Sequence, residues 1–268
     1  MQNRASLPTS LVPHLAFALL GLSSLAAQTA APKTQVNVAI VVQNGMELLD
    51  FAGPGEVFAA AGSSEARPFR VFTVSAIEAA VTSQGFVEII PDFTIENAPH
   101  VDILVIPGGG HSNLIRDPRM MSWIGRTVGS AQYTLSVCTG ALVLAAGGFL
   151  DGKEATTWYG AIDRLRRAAP KTIIHEKTRF VDNGSIITTA GISAGIDGSL
   201  HLVSRLLGSQ AAEDVAHYME YDKWMPNAGL IVNREAAVPL IDSKPVCLSD
   251  PLPHLQHCET SQPASDGR

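Results

Sequence analysis

From residue 36 onward the hydrophobic positions fall into short unbroken runs separated by longer amphipathic ones. "VNVAIVV" (36–42) is apolar at nearly every position and rich in β-branched residues, the pattern of a parallel strand covered on both faces. "PFRVFTVS" (68–75) predicts a second strand, "VDILVIPGGG" (101–110) a third and "YTLSV" (133–137) a fourth. Between the third and fourth, "DPRMMSWIGRTVGSA" predicts a helix capped by Asp117 with Pro118 in its first turn. A helix follows Cys138, and "YGAIDRLRRAA" (159–169) predicts another, closed by Pro170. Asn183-Gly184 lies between two β-rich runs, the signature of a hairpin. "SAGIDGSLHLVSRLLG" (193–208) has apolar residues at helical spacing and stops at Gly208.

Strands alternating with crossover helices predict a three-layer α/β domain with a mostly parallel central sheet over residues 34–225, followed by an irregular tail over 226–268. In such sheets the active site forms at the carboxyl ends of the strands. Three loops at that edge are unusual: "NGMELLDFAGPGEVF" after the first strand, "PGGGHSN" after the third, and the Cys138 corner after the fourth. They are expected to converge on one crevice.

The N-terminal stretch differs. Arg4 is the only charge before Lys33, and the apolar "LAFALLGLSSLAA" (Leu15 to Ala27) gives way to "AQTAAP". That core is short for a membrane span, which takes about 20 residues, and it suits a secretory signal over 1–31 cleaved after a small residue such as Ala26 or Ala31. A short anchor or leader is the alternative. Cleavage would leave a mature chain from near Lys33 in a periplasmic or secreted setting, without stable membrane insertion.

The chain is 46% hydrophobic and 16% charged, enough apolar material for one good-sized core. A net charge of −6 and the lack of any basic run argue against a nucleic-acid partner. Of three cysteines, Cys247 and Cys258 lie in the Pro-rich tail, where export permits a disulfide and two free thiols are the other reading. Either way Cys138 is the odd one.

"TLSVCTGALVLAAGG" (134–148) places that cysteine at the corner between a buried strand and a helix. A residue at such a turn projects over the sheet edge, as the serine of a nucleophile elbow does. The positive end of the following helix is expected to lower the thiol's pKa, and the thiolate is the reactive form. The Thr139 amide, opposed by the amides of Gly108 and Gly109, is placed to face an anion formed on a substrate. The bland alternative is a small buried hydrophobe.

Asp50 ends an apolar run and "GP" two residues later turns the chain, so it reads equally as a proton carrier beside the thiol or as a helix N-cap. Glu56, one turn on, is the second carboxylate candidate, with a solvated helix residue as the favoured reading. His111 after the glycines is a candidate partner for the thiol, with a solvent-facing loop histidine as the favoured reading, and His175, His201 and His217 sit in segments with structural explanations. Without a well-placed histidine, Cys-His protease or amidase chemistry is weakly supported. No His/Cys/Asp cluster has metal-ligand spacing, and neither a phosphate loop nor a dinucleotide fingerprint is present, so no metal and no cofactor are expected.

"AIVVQNGMELLDFAGPGEVF", "DILVIPGGG", "SVCTGALVLAAGGFLDGKEATT" and "SIITTAGISAGIDGSLHLV" resemble the DJ-1/PfpI superfamily, which is class I glutamine amidotransferase-like. Within it they are most similar to the branch holding isonitrile hydratase and the amidase-like domains of some AraC-type regulators, from about residue 36 to 230. The resemblance implies a flavodoxin-like sandwich and a homodimer. It carries a nucleophilic cysteine onto Cys138, a functional aspartate onto Asp50 and the threonine after the nucleophile onto Thr139. PfpI-type proteases have histidine directly after the cysteine, where this chain has Thr139. Hydratase relatives usually read "TTHW" where this chain reads "TTWY", so Trp158 replaces a histidine that bears on the substrate pocket. The export signal is a further departure, and no room remains after residue 230 for the regulators' DNA-binding domain.

Three functions follow: a cofactor-independent, Cys-dependent hydratase converting an isonitrile to an N-substituted formamide; a glyoxalase- or deglycase-like enzyme on reactive carbonyls; or a ligand-binding or redox-sensing module in which Cys138 is oxidised.

Overall fold

The computed structural model describes residues 35–62 and 67–232. In chain order these form β1 (Val36–Val41), α1 (Leu48–Ala60), β2 (Phe69–Ser75), β3 (Val81–Ser83), β4 (Val87–Ile89), β5 (Phe93–Thr94), β6 (Ile103–Ile106), α2 (His111–Arg116), α3 (Pro118–Ser130), β7 (Tyr133–Ser136), α4 (Gly140–Ala146), β8 (Glu154–Ala155), α5 (Ile162–Ala168), β9 (Ile173–Ile174), β10 (Phe180–Asp182), β11 (Ile186–Thr189), α6 (Ala194–Leu207), α7 (Ser209–Tyr218) and β12 (Leu230–Ile231). The central sheet runs β12-β10-β11-β7-β6-β1-β2-β5. Every neighbouring pair in it is parallel except the β10–β11 hairpin, which turns at Asn183-Gly184 as expected.

The unbroken apolar runs are explained by two cores. Val36, Val38 and Ile40 of β1 and Ile103 and Val105 of β6 face one, closed by Val57 and Phe58 of α1, Leu200 and Val203 of α6, and Val215 of α7. Ala39, Val41, Leu104 and Ile106 point the other way, onto Leu114 of α2, Trp123 and Ile124 of α3, Leu142 and Val143 of α4, and Leu165 of α5. Side chains alternate across a pleated strand, so covering both faces demands an apolar residue at every position. This is a flavodoxin-like, three-layer α/β fold.

Three expectations change. β6 ends at Ile106, and the glycines after Pro107 form a loop, with Gly109 and Gly110 at φ +68° and +48°. Gly53-Pro54 does not turn the chain but lies inside α1, where a Cβ on Gly53 would stand 3.0 Å from the Ile196 side chain. The tail is not irregular throughout: Leu230–Ile231 pairs with β10 as an edge strand. The signal segment 1–31 and Cys247 and Cys258 lie outside the described residues.

Candidate active site

β1 is bonded to β2 on one side and to β6 on the other, the switch point at which open α/β sheets leave a crevice beyond the strand ends. The loops after β1, β6 and β7 meet there. Cys138 sits between β7 and α4 at φ +55°, a left-handed conformation that costs a non-glycine residue on the order of 1 kcal/mol. The turn is held from both sides: the Cys138 N–H donates to the Ala190 carbonyl at 3.1 Å, and the Thr157 hydroxyl donates to the Cys138 carbonyl at 2.6 Å. Gly140 makes the corner sterically possible, because a Cβ there would stand 2.1 Å from the Ile106 carbonyl oxygen. Cys138 is 6% exposed.

Asp50 lies in the first turn of α1 and is fully buried. It is not the N-cap: Glu47 holds that position without a side-chain cap bond. The Gly108 N–H donates to its Oδ2 at 2.8 Å, while Oδ1 has no hydrogen-bond partner. The carboxyl and the thiol are neighbours, each shifting the other's ionisation. Burial pushes Asp50 up to about 7, aided by the charge of Glu47 and opposed by the Gly108 amide, the thiol and the Ile192 amide. Burial also pushes the Cys138 thiol up to about 12, with the Asp50 charge adding to it. Above pH about 7 the carboxyl is ionised while the thiol keeps its proton.

Several sequence expectations meet correction here. The thiol's pKa is raised, not lowered, because desolvation and the neighbouring carboxylate outweigh the amide of Thr139 and the short helix behind it. Gly108 and Gly109 do not present free amides: the first bonds Asp50, and the second donates to the Thr139 Oγ1 at 3.0 Å. They serve instead to let the loop approach, since a Cβ on Gly108 would stand 2.7 Å from the Thr139 nitrogen and 2.8 Å from Asp50 Oδ2. Thr139 keeps its amide beside the Cys138 sulfur. Trp158 is half-buried and packs over Gly160 and Gly191, its ring 4.9 Å from that of Tyr159. Glu56 is exposed on α1 as expected.

Sequence reasoning missed Ile192. This residue precedes α6 at φ +55°, a rare conformation for a β-branched side chain, and its backbone amide favours the anionic form of both Asp50 and Cys138. "AGIS" gave no signal beyond its glycine. His111 is not simply solvent-facing: its Nε2 lies 3.3 Å from Arg164, and its buried Nδ1 has no partner. His175 meets Glu154, and His201 is 2.7 Å from Asp182 and stacked on Phe180, both away from the thiol. His217 ends α7.

A buried carboxyl facing a thiol on a strained strand-to-helix elbow, at the switch point of a parallel sheet, defines a flavodoxin-like domain with a cysteine elbow. The chain belongs to the DJ-1/PfpI family, whose model matches residues 36–205. It is 36% identical to an isonitrile hydratase of Pseudomonas putida over 66% of this chain and 74% of the relative. It is 27% identical to the HTH-type transcriptional regulator CdhR of Pseudomonas aeruginosa over 64% of this chain, spanning 51% of that protein. A ThiJ/PfpI family protein from Pseudomonas syringae superposes with a TM-score of 0.65 at 28% identity, covering 81% of this chain and 86% of that one.

Proposed function

We propose that the protein is a Cys-dependent hydratase that adds water to the terminal carbon of a small isonitrile, giving an N-substituted formamide. The observation that carries the reading is the Asp50 carboxyl, brought to about 7 by burial and set against the elbow thiol. A group of that pKa takes and gives protons readily at neutral pH. The thiol does not stand as a thiolate. Its proton passes to the Asp50 carboxylate as sulfur bonds to the isonitrile carbon, and Asp50 returns that proton to the same carbon, leaving a thioimidate. Water then adds to the carbon with Asp50 accepting its proton. Proton transfer to nitrogen and departure of sulfur release the formamide and restore the thiol. The Thr139 and Ile192 amides beside the sulfur stabilise charge in these steps. Identity to an isonitrile hydratase supports the reaction class.

Burial keeps the Cys138 thiol protonated, so its sulfur reacts only with a base beside it, a part that Asp50 is placed to take. Homodimerisation and export complete the proposal, from the family resemblance and the leader respectively. The test incubates the protein with a simple isonitrile and follows the formamide by chromatography, with Cys138→Ala alongside. Wild type is expected to form product, with kcat/KM rising through pH about 7 as Asp50 ionises, and Cys138→Ala to form none while remaining folded. Equal product from both proteins would overturn the mechanism, and lactate formed from methylglyoxal without any formamide would favour the carbonyl reading.

A further inference from the structure

Ile192 holds a conformation that its own side chain disfavours. A β-branched residue at φ +55° relaxes to a negative φ unless its surroundings over-determine it. The next residue, Ser193, is the N-cap of α6, yet its side chain makes no cap bond. A serine at that position ordinarily accepts an N–H from the first turn of its helix. Here its Oγ accepts instead from the Nη2 of Arg179, at 3.3 Å.

Arg179, immediately before β10, grips this segment at three points. Its carbonyl accepts the Ala190 N–H at 2.9 Å, and the Ala190 carbonyl in turn accepts the Cys138 N–H at 3.1 Å. Its Nε donates to Asp197 Oδ2 at 2.8 Å, and its Nη2 donates to the same oxygen. The third point is Ser193. Attachments at residues 190, 193 and 197 thus bracket Ile192. Asp197 is buried in the first turn of α6, with the Tyr221 hydroxyl 3.4 Å from both its oxygens, so the guanidinium is anchored on a packed helix. A planar fork of donors holds a carboxylate and a hydroxyl at fixed angles, which the single ammonium of lysine does not.

We propose that Arg179 is a positioning residue of the active site: anchored on Asp197, it holds Ser193 by the hydroxyl and so keeps Ile192 turned with its N–H toward the Cys138 sulfur and the Asp50 carboxyl. For turnover this rests on the hydratase reading; for the thiol's own reactivity it does not. With Ser193 released, Ile192 relaxes and its N–H leaves both groups. The anion of each then loses a donor, so Asp50 keeps its proton to higher pH and the base that draws the thiol proton forms later. Glu47 and the Gly108 amide, which also bear on Asp50, are untouched by the change.

The experiment follows alkylation of Cys138 by iodoacetamide in the full chain from about pH 5 to 9, read by mass spectrometry of the Cys138 peptide, with formamide turnover alongside. The wild-type rate is expected to rise through pH about 7 as Asp50 ionises. Ser193→Ala leaves the Arg179–Asp197 pair intact. It is expected to slow alkylation at pH 7 by roughly three- to tenfold and to move the midpoint up by roughly half to one pH unit. Ser193→Thr should restore the wild-type profile, Arg179→Lys should match Ser193→Ala, and the double variant should do no more than either. In turnover, kcat should fall with KM unchanged, because Arg179 does not touch substrate. A merely structural role would lower the melting temperature and leave the alkylation profile in place. That result, additive losses in the double variant, or a wild-type rate that does not rise through pH about 7 would overturn the proposal. Wild type forming no formamide removes the hydratase reading alone, and the alkylation profile still decides the role of Arg179.

Discussion

Replacing Asp50 by asparagine should make the protein more stable above neutral pH and no more stable at pH 4. Asp50 has no exposure to solvent, and its carboxyl is raised from the ordinary 3.8 to about 7 by burial. A carboxyl raised in the folded state binds its proton more tightly there than in the unfolded chain. It therefore contributes stability that is fully present below pH 3.8 and lost as pH rises through about 7. The loss over that window is about 4 kcal/mol. Asparagine never ionises and escapes it. Its N–H2 group would stand where Oδ1 now has no partner, at a cost of about 1–2 kcal/mol. The net gain at pH 8 is then about 2–3 kcal/mol, which raises the Tm of a domain of this size by roughly 5–10 °C. At pH 4 only the cost remains, and the variant should melt slightly below wild type. Differential scanning fluorimetry of both proteins from pH 4 to 9 reads the sign change directly. A pH-independent difference, or a less stable variant at pH 8, would refute the account of Asp50 as a carboxyl destabilised by its own site. Activity should be lost throughout, so the gain would measure the stability this site gives up for its chemistry.

Two further substitutions probe how the site is held. Gly108→Ala places a methyl group 2.7 Å from the Thr139 nitrogen and 2.8 Å from Asp50 Oδ2, so it should lower stability by about 1–3 kcal/mol and reduce turnover sharply; wild-type values for both in urea unfolding and formamide assays would show that the close approach is unnecessary. Asp182→Ala removes the carboxylate that His201 approaches at 2.7 Å and Arg205 at 2.9 Å, leaving the Gly184 amide without its acceptor and the arginine with the Gly184 carbonyl alone. A loss of about 3–5 kcal/mol is expected by thermal melting, and a loss under about 1 kcal/mol would mean that this buried cluster is not what fastens the β10–β11 hairpin to α6.

The sequence by itself determined the layers, because a strand covered on both faces must be apolar at every position, and "VNVAIVV" and "DILVI" record that demand residue by residue. It also placed Cys138 at a strand-to-helix corner and Asp50 just beyond the first strand at the same sheet edge, since both depend on the order of local elements; that Asp50 stands inside the first turn of α1 came from the structure. The tertiary structure decided the rest. Whether Gly108 and Gly109 hold free amides depends on Asp50 and Thr139, 58 and 30 residues away. The direction of the thiol's pKa shift depends on how much water the fold removes and which charge it brings alongside, and burial overrode the helix-end expectation. The Ile192 amide and the Arg164–His111 contact have no signature in composition or periodicity, because a backbone N–H is the same in every residue and a side-chain meeting across 53 positions leaves no local pattern. β12 was hidden for a related reason: two residues suffice for an edge pairing that only the neighbouring strand specifies. Local pattern thus fixed the buried strands and the long helices between them, and through-space contact fixed the short edge pairings and what the strand ends can do.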